Sequence, residues 1–394
     1  MRTQSHSVIV LLALSLATAC AGPDGTQGDE QTPAPSEVDS GDWAGDDDDE
    51  DPVEDGDTDL AGDDDGGDDG DQDGEPEPSE PTPPTSAEFS SLGVAARDDL
   101  TQIYTIDPND WSTIVGAQGT TVFIQAGSMV RSDGTPATGP VDLEMIEIFD
   151  KGSMLATNMP SIARNADGDV VQLISGGEHF IDASEDGEPL RLATGLQISV
   201  PTDLTGGPDD EMILFRADVQ GEPDGESLSD FEAAGRDDEA VWVEDEDPRA
   251  RVMIGEGGAD GAATSYHTIS GAFGWTNIDR WYSDPRPKTS IHVSVPEGWD
   301  DSNCEVYLSY DGEPTALARM DVFNSATGLF TEHYGQIPVG LDVHVIFVTE
   351  ENGEWSYAIQ GTTIEEDHVT DFDSAAALIQ ADTDALIAAI NQLP

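Results

Sequence analysis

The segment between residues 21 and 85 constrains this chain more than any other feature. It contains 26 Asp and Glu residues, no Lys or Arg, and many Gly, Pro, Ser and Thr residues. Its larger apolar residues are Val38, Trp43, Val53 and Leu60. Because like charges repel and so little apolar surface can be buried, such a segment cannot form a core. We therefore expect residues 20–85 to be a disordered, extended acidic linker, with a folded body beginning near residue 86.

A short export signal precedes the linker. Arg2 is followed by a mostly apolar run from Val8 to Leu16, and small residues lead from there to Cys20. This run is too short to span a bilayer, so residues 1–19 are predicted to be a signal peptide. The stretch Ala17-Thr18-Ala19-Cys20 resembles the lipobox of bacterial lipoproteins, although Ala17 stands where Leu is usual and Leu16 lies one position early.

The lipobox resemblance implies that Cys20 is acylated and anchors the protein to a membrane. Ala21, rather than Asp, follows the cysteine, which by the same resemblance implies the outer membrane, with the body facing the periplasm or the cell surface. Ordinary secretion after Ala19 or Ala21 is the alternative. Cys304 is the only other cysteine, so a scaffold held by disulfides is excluded.

The body beyond the linker is acidic as well. Residues 86–394 contain 57 Asp and Glu but only 13 Lys and Arg, which gives a net charge of −44 out of −69 for the chain. Nucleic acid is therefore excluded as a partner, because binding phosphates requires clustered cations. Two explanations of the acidity stay open: a surface suited to high ionic strength, or a set of carboxylate sites for cations.

One calcium motif occurs within the linker. Residues 69–80 have the spacing of an EF-hand loop, but Pro76 occupies the position that needs an apolar residue, and no helices are expected on either side. Weak Ca²⁺ binding along the acidic run is the only cofactor interaction that we expect, and no residue is assigned to a metal site.

Alternating apolar residues and frequent Asp-Gly turns indicate an all-β body. Val141, Leu143 and Met145, for example, alternate with polar residues along one predicted strand. We expect two or three sandwich-like units of the immunoglobulin or prealbumin type. The predicted order is a β-sandwich domain over residues 86–203, a β-rich connecting region with acidic loops over 204–287, and an immunoglobulin-like β-sandwich over 288–372.

The C-terminal segment has a helical period. Apolar residues from Phe372 to Leu393 recur at alternating steps of four and three, which predicts a C-terminal amphipathic helix over residues 373–394. Thr370 and Asp373 are spaced for a capping box at its start. The apolar face could pack against the protein's own β-body or pair with a partner helix.

No catalytic motif is present, and no catalytic residue is assigned. Glu178, His179 and Asp182 could supply ligands to a metal, but adjacent strand residues point to opposite faces, so Glu178 and His179 cannot both chelate easily. The densest mixture of aromatic and polar residues is a candidate ligand-binding cluster, of the kind that sugar and peptide clefts use. The alternative interpretation of this cluster is an ordinary domain junction. The members of the cluster are Trp275, Asn277, Asp279, Arg280 and Trp281.

Residues 118–200 and 273–280 resemble β-rich modules in envelope lipoproteins of marine myxobacteria and Bacteroidetes. The motifs that carry this resemblance are Gly-Pro-Val-Asp-Leu at 139–143, Ser-Gly-Gly at 175–177 and the run at 273–280. The resemblance covers about a third of the chain and implies no activity.

These observations together predict a lipid-anchored cell-envelope protein whose body acts as a binding or structural module, without catalysis. Its ligand would be an unidentified envelope or extracellular molecule. One alternative is an extracytoplasmic carboxylate-based hydrolase, which would require carboxylates of raised pKa in a cleft beside Trp275 or Trp281. The other alternative is a calcium-stabilised adhesin.

Overall fold

The computed structural model describes residues 82–218, 241–257, 263–332, 335–372 and 377–394. The predicted signal peptide, Cys20 and nearly all of the acidic linker lie outside the described residues. The described part is mostly β-strand, with three short α-helices, which confirms the all-β, sandwich-like expectation. No helix in these ranges is both long and apolar enough to cross a membrane.

The first β-sandwich is built from two facing sheets. Sheet 1 has the strand order β1-β5-β7-β15-β11-β12-β6, with β8 attached to β7, and sheet 2 has the order β13-β14-β10-β3-β2. Strands β4 and β9 form a separate pair. The strands are β1 Gln102–Ile106, β2 Ser112–Val115, β3 Thr121–Ile124, β4 Met129–Val130, β5 Val141–Ile148, β6 Ile162–Arg164, β7 Val170–Glu185, β8 Glu188–Pro189, β9 Arg191–Leu192, β10 Leu196–Pro201, β11 Ile213–Asp218, β12 Val241–Glu244, β13 Met253–Gly257, β14 Ala263–Ser270 and β15 Gly274–Trp281.

Residues 204–287, which we expected to be a connecting region, supply strands to both of these sheets. Strands β11, β12 and β15 belong to sheet 1, and β13 and β14 belong to sheet 2. Strand β6 pairs with both β12 and β7, so β7, β15, β11, β12 and β6 form a closed ring. The described residues on both sides of position 203 therefore share one hydrophobic core, which lies between sheets 1 and 2.

The second β-sandwich follows residue 287. Sheet 3 has the order β20-β21-β17-β25 and sheet 4 has the order β19-β18-β23-β24-β26, while β16 pairs with β22. Its core, which includes Val293, Val306, Phe330 and Val345, lies between sheets 3 and 4. The strands are β16 Lys288–Thr289, β17 Ile291–Ser294, β18 Cys304–Tyr310, β19 Leu317–Arg319, β20 Val322–Asn324, β21 Leu329–Thr331, β22 Ile337–Pro338, β23 Asp342–Glu351, β24 Glu354–Thr363, β25 His368–Asp371 and β26 Ile379–Ala381.

Three helices join the two sandwiches: α1 Ser86–Leu100, α2 Lys151–Thr157 and α3 Thr383–Asn391. Their apolar residues share one core with the outer face of sheet 1 and with sheet 4. Helix α1, which the sequence analysis did not predict, begins with a capping box between Thr85 and Glu88 and buries Phe89, Leu92 and Ala96 on one face.

The predicted C-terminal helix is shorter than expected. Residues 379–381 form β26, which pairs with β24, and Asp382 caps the helix that begins at Thr383. Thr370 lies in β25, and the predicted start of the helix at residues 373–376, with Asp373, lies outside the described residues. The final turns keep their amphipathic character, and Leu386 and Ile390 are fully buried against the protein's own body.

Candidate functional site

The predicted ligand-binding cluster lies along β15, in the interior of sheet 1 between β7 and β11. Trp275 is 2% exposed and packs against Phe180, with ring centroids 5.3 Å apart. Asn277 and Asp279 are completely buried. The structure therefore does not place these three side chains in an open cleft, because both neighbouring strands and the layers on either face cover them.

The remaining two predicted residues lie at the end of β15. Arg280 forms an ion pair with Asp209, at 2.8 Å between Nε and Oδ2. The indole nitrogen of Trp281 donates a hydrogen bond to Glu244, and its ring packs edge-on against Phe215. The five residues are consequently divided among a core, a buried polar group and a partly exposed edge, and they do not form one binding surface.

A polar cluster of four buried residues lies between β7 and β15. The cluster consists of Ser175, Glu178, Asn277 and Asp279, and all four are completely buried. The Ser175 hydroxyl donates a hydrogen bond to Asn277 Oδ1 at 3.0 Å. Asn277 Nδ2 donates to both carboxyl groups, at 3.3 Å to Glu178 Oε1 and 2.6 Å to Asp279 Oδ2. One amide thus bridges two enclosed acids.

A β-bulge brings this polar cluster together. Asn277 pairs with Glu178 and Asp279 pairs with Ser175, so two glycines of β7 oppose the single residue Ile278. Gly177 adopts a φ of 130°, in which a side chain would be strained, and a Cβ there would also contact the Phe149 ring. The Ser-Gly-Gly motif therefore has a structural role, since it places Ser175 and Glu178 opposite Asn277 and Asp279.

The electrostatics of the polar cluster favour protonated carboxyl groups. Burial raises the pKa of Glu178 well above its ordinary value, and the nearby Asp279 and Asp150 raise it further, while Asn277 opposes the shift. Burial also raises the pKa of Asp279 well above its ordinary value. No Lys or Arg among the described residues forms an ion pair with either acid. Raised carboxyl pKa values are the feature expected of a hydrolase, but a substrate cannot reach these enclosed groups.

His179 lies on the opposite face of β7 from Glu178, as strand geometry predicted. Its ring contacts Phe149 edge-on, and burial lowers its pKa to about 4, although the nearby Glu147 opposes the shift. The Glu147 carboxylate accepts hydrogen bonds from the backbone N–H groups of Gln118 and Thr120. In the described ranges, no group of three or more His, Cys, Asp or Glu residues is arranged to hold a metal ion.

An accessible cavity lies where the two sandwiches meet. We call it the junction cleft, and it has a volume of about 210 Å³. Strands β6 and β7 form one wall and strands β18 and β19 form another. The lining is completed by Tyr282, Ser283, Asp284, Lys288, Glu332, Gln336 and Ile337. Its polar lining residues are Gln172, Tyr282, Ser283, Asp284, Lys288, Tyr310, Arg319, Asp321, Glu332 and Gln336.

Two tyrosines form an aromatic corner of the junction cleft. The rings of Tyr282 and Tyr310 are perpendicular, with centroids 5.1 Å apart. The Tyr282 hydroxyl donates to Asp284, whose pKa is held well below its usual range mainly by hydrogen bonds from Arg286. The Tyr310 hydroxyl has no hydrogen-bond partner among the described residues, and burial of this side chain raises its pKa. That hydroxyl is therefore free to bond to a ligand.

Amide and cationic groups also line the junction cleft. Gln172 Nε2 donates to the carbonyl oxygens of Ser161 and Leu173, which fixes the amide and leaves its buried Oε1 without a donor in the described structure. Lys288 forms no ion pair within those residues, and partial burial lowers its pKa while Asp284 opposes the shift. Arg319 donates to Asn158 at 3.3 Å.

Sequence reasoning missed the junction cleft because its walls come from four separate segments. The only local signal was the position of Tyr282, immediately after the predicted cluster that ends at Trp281. No protein-family model, no curated protein sequence and no solved structure matches the chain.

Proposed function

We propose that this protein is a lipid-anchored component of the cell envelope, whose β-rich body acts as a binding module. An acylated Cys20 would hold the protein at the outer membrane, and the acidic linker would separate the body from the lipid surface. The observation that carries the binding function is the junction cleft, because it combines an aromatic corner with polar groups that lack protein partners. Such convergence of a few polar groups in a concave site is typical of ligand sites.

The geometry supports binding better than catalysis. The two carboxyl groups whose pKa values are raised most, Glu178 and Asp279, are enclosed in the core and lie apart from the residues that line the junction cleft. In the cleft itself, Asp284 has a lowered pKa and is occupied by Arg286, so it is poorly suited to act as a general acid.

The anchoring part of the proposal is tested by membrane fractionation. Wild type should partition into the detergent phase and carry the added mass of acyl chains, whereas Cys20→Ser should remain in the aqueous phase with no added mass. Cys304→Ser is the matched control and should behave like wild type, because Cys304 is buried in the second sandwich. Aqueous partitioning of wild type would contradict the anchor.

The proposed binding function is tested with a variant whose substituted side chain fills the junction cleft. Ser283 is exposed at the rim, so Ser283→Trp should fill the space without disturbing the core. Small molecules extracted from envelopes should include a species that raises the melting temperature of wild type but not of Ser283→Trp. If no small-molecule fraction distinguishes the two proteins, the body is not a module that binds small ligands through this cleft.

A further inference from the structure

We infer that the junction cleft takes one ring of a neutral sugar, either free or at the end of a glycan. This inference rests on the proposed binding function and specifies the ligand class of the same site.

The first argument is the pattern of hydrogen-bonding groups. The cleft presents donors on Lys288 and Arg319, carboxylate acceptors on Asp321 and Glu332, and a hydroxyl on Tyr310 that can both donate and accept. Each hydroxyl of a sugar both donates and accepts, so a polyhydroxylated ring can satisfy donors and acceptors that lie side by side.

The second argument is charge. Asp284, Asp321 and Glu332 line the cleft together with the cations Lys288 and Arg319, and Arg286 neutralises Asp284 from outside. The charged residues of the lining sum to only −1, within a body of net charge −44. An anionic ligand would be repelled by the whole body, and a cationic ligand would have to place its charge beside the ammonium group of Lys288 and the guanidinium group of Arg319. A neutral ligand avoids both penalties.

The third argument is size and shape. A volume of about 210 Å³ is smaller than the roughly 300–1,000 Å³ of pockets that enclose drug-sized ligands, so it suits a single small ring. The perpendicular rings of Tyr282 and Tyr310 offer an apolar corner for the C–H face of a pyranose, and their hydroxyl groups offer a polar edge.

The experiment is a saturation-transfer NMR and calorimetry screen of the full-length protein in detergent. The probes are the methyl glycosides of glucose, galactose, mannose and N-acetylglucosamine, oligosaccharides ending in the same residues, and two charged analogues, glucuronate and glucosamine. At least one neutral sugar should bind, and it should bind more tightly than its charged analogues. A preference for the oligosaccharide over the methyl glycoside would identify a glycan end as the source.

Variants locate the binding. Tyr310→Phe removes only the hydroxyl group and should weaken the affinity for the sugar about 3- to 10-fold. Ser283→Trp should abolish sugar binding. Tyr104→Phe is the matched control, because Tyr104 lies in β1 of the first sandwich and does not line the cleft. The affinity of this variant for the sugar should equal that of wild type.

Each contrary result has a distinct meaning. Tighter binding of glucuronate or glucosamine would overturn the neutral class, and sugar binding that survives Ser283→Trp would overturn the site. If no sugar binds but another envelope ligand is lost in Ser283→Trp, the sugar inference fails while the proposed binding function stands. If nothing distinguishes wild type from Ser283→Trp, both fail.

Discussion

At the scale of single residues, the bridged acids Glu178 and Asp279 are the most consequential feature. A buried carboxylate without a cationic partner is very unfavourable, so the folded protein keeps these groups protonated to a higher pH than the unfolded chain does. Unfolded Asp and Glu have pKa values of about 3.9 and 4.3. The folded state therefore binds more protons than the unfolded state above about pH 4, until the pH exceeds the raised pKa values.

This difference predicts that the pair destabilises the fold as pH rises. The stabilisation that the protonated pair contributes is fully present below about pH 4. It is lost as the pH rises through the raised pKa values, by about 1.4 kcal/mol per pH unit for each proton. In the double variant Glu178→Gln and Asp279→Asn, neither group titrates, so the fall in unfolding free energy between pH 5 and 9 should be shallower than in wild type. Urea unfolding at several pH values measures both slopes.

The control for this measurement is the double variant Glu188→Gln and Asp210→Asn, which removes two exposed acids. Its pH slope should match wild type, because both buried acids remain in this variant and neither substituted side chain is buried. Equal slopes in all three proteins would show that the buried acids do not hold protons in the native state.

At the scale of elements, the contact between α2 and α3 joins the C-terminal helix to the segment between β5 and β6 of the first sandwich. Lys151–Thr157 is buried at every residue, and α3 lies directly against it. A Cβ on Gly152 would lie 2.5 Å from the Ile387 carbonyl oxygen and 2.8 Å from its Cα, both of which are backbone atoms. Only glycine allows the two helices to approach this closely.

Gly152→Ala should therefore destabilise the protein, by about 1–3 kcal/mol, because the helices must move apart. Gly93→Ala in α1 is the matched control, since its nearest contact would be 3.8 Å away. That change should be neutral or stabilising by up to about 1 kcal/mol through helix propensity. Chemical denaturation of both variants gives the comparison, and equal effects would mean that α3 does not pack tightly on α2.

At the scale of the whole molecule, net charge sets how stability responds to salt. A body of charge −44 repels itself, and added salt screens this repulsion. We expect the melting temperature of the full-length protein to rise with NaCl, and CaCl₂ at matched ionic strength to give the same rise, with no loss on adding EDTA. A calcium site at 100 times its dissociation constant would add about 2.7 kcal/mol. A rise of that size with CaCl₂ alone would instead favour the calcium-stabilised adhesin.

The sequence alone determined the properties that depend on local pattern and composition. Period-two alternation and Asp-Gly turns predicted the all-β class, and the spacing of Leu386 and Ile390 predicted a helical face near the C-terminus. Strand geometry also predicted that Glu178 and His179 point to opposite faces. These features are readable because each is set by neighbours a few residues away.

Tertiary structure alone decided which residues are enclosed and which remain open to a ligand. Trp275, Asn277 and Asp279 have the composition of a binding cluster, but pairing of β15 with β7 and β11 buries them. Residues 379–381 of the expected helix form strand β26 instead, because β24 offers them a partner. The junction cleft joins Gln172 to Tyr310, which are far apart in the chain. Such outcomes depend on long-range pairing and burial, which no local pattern encodes.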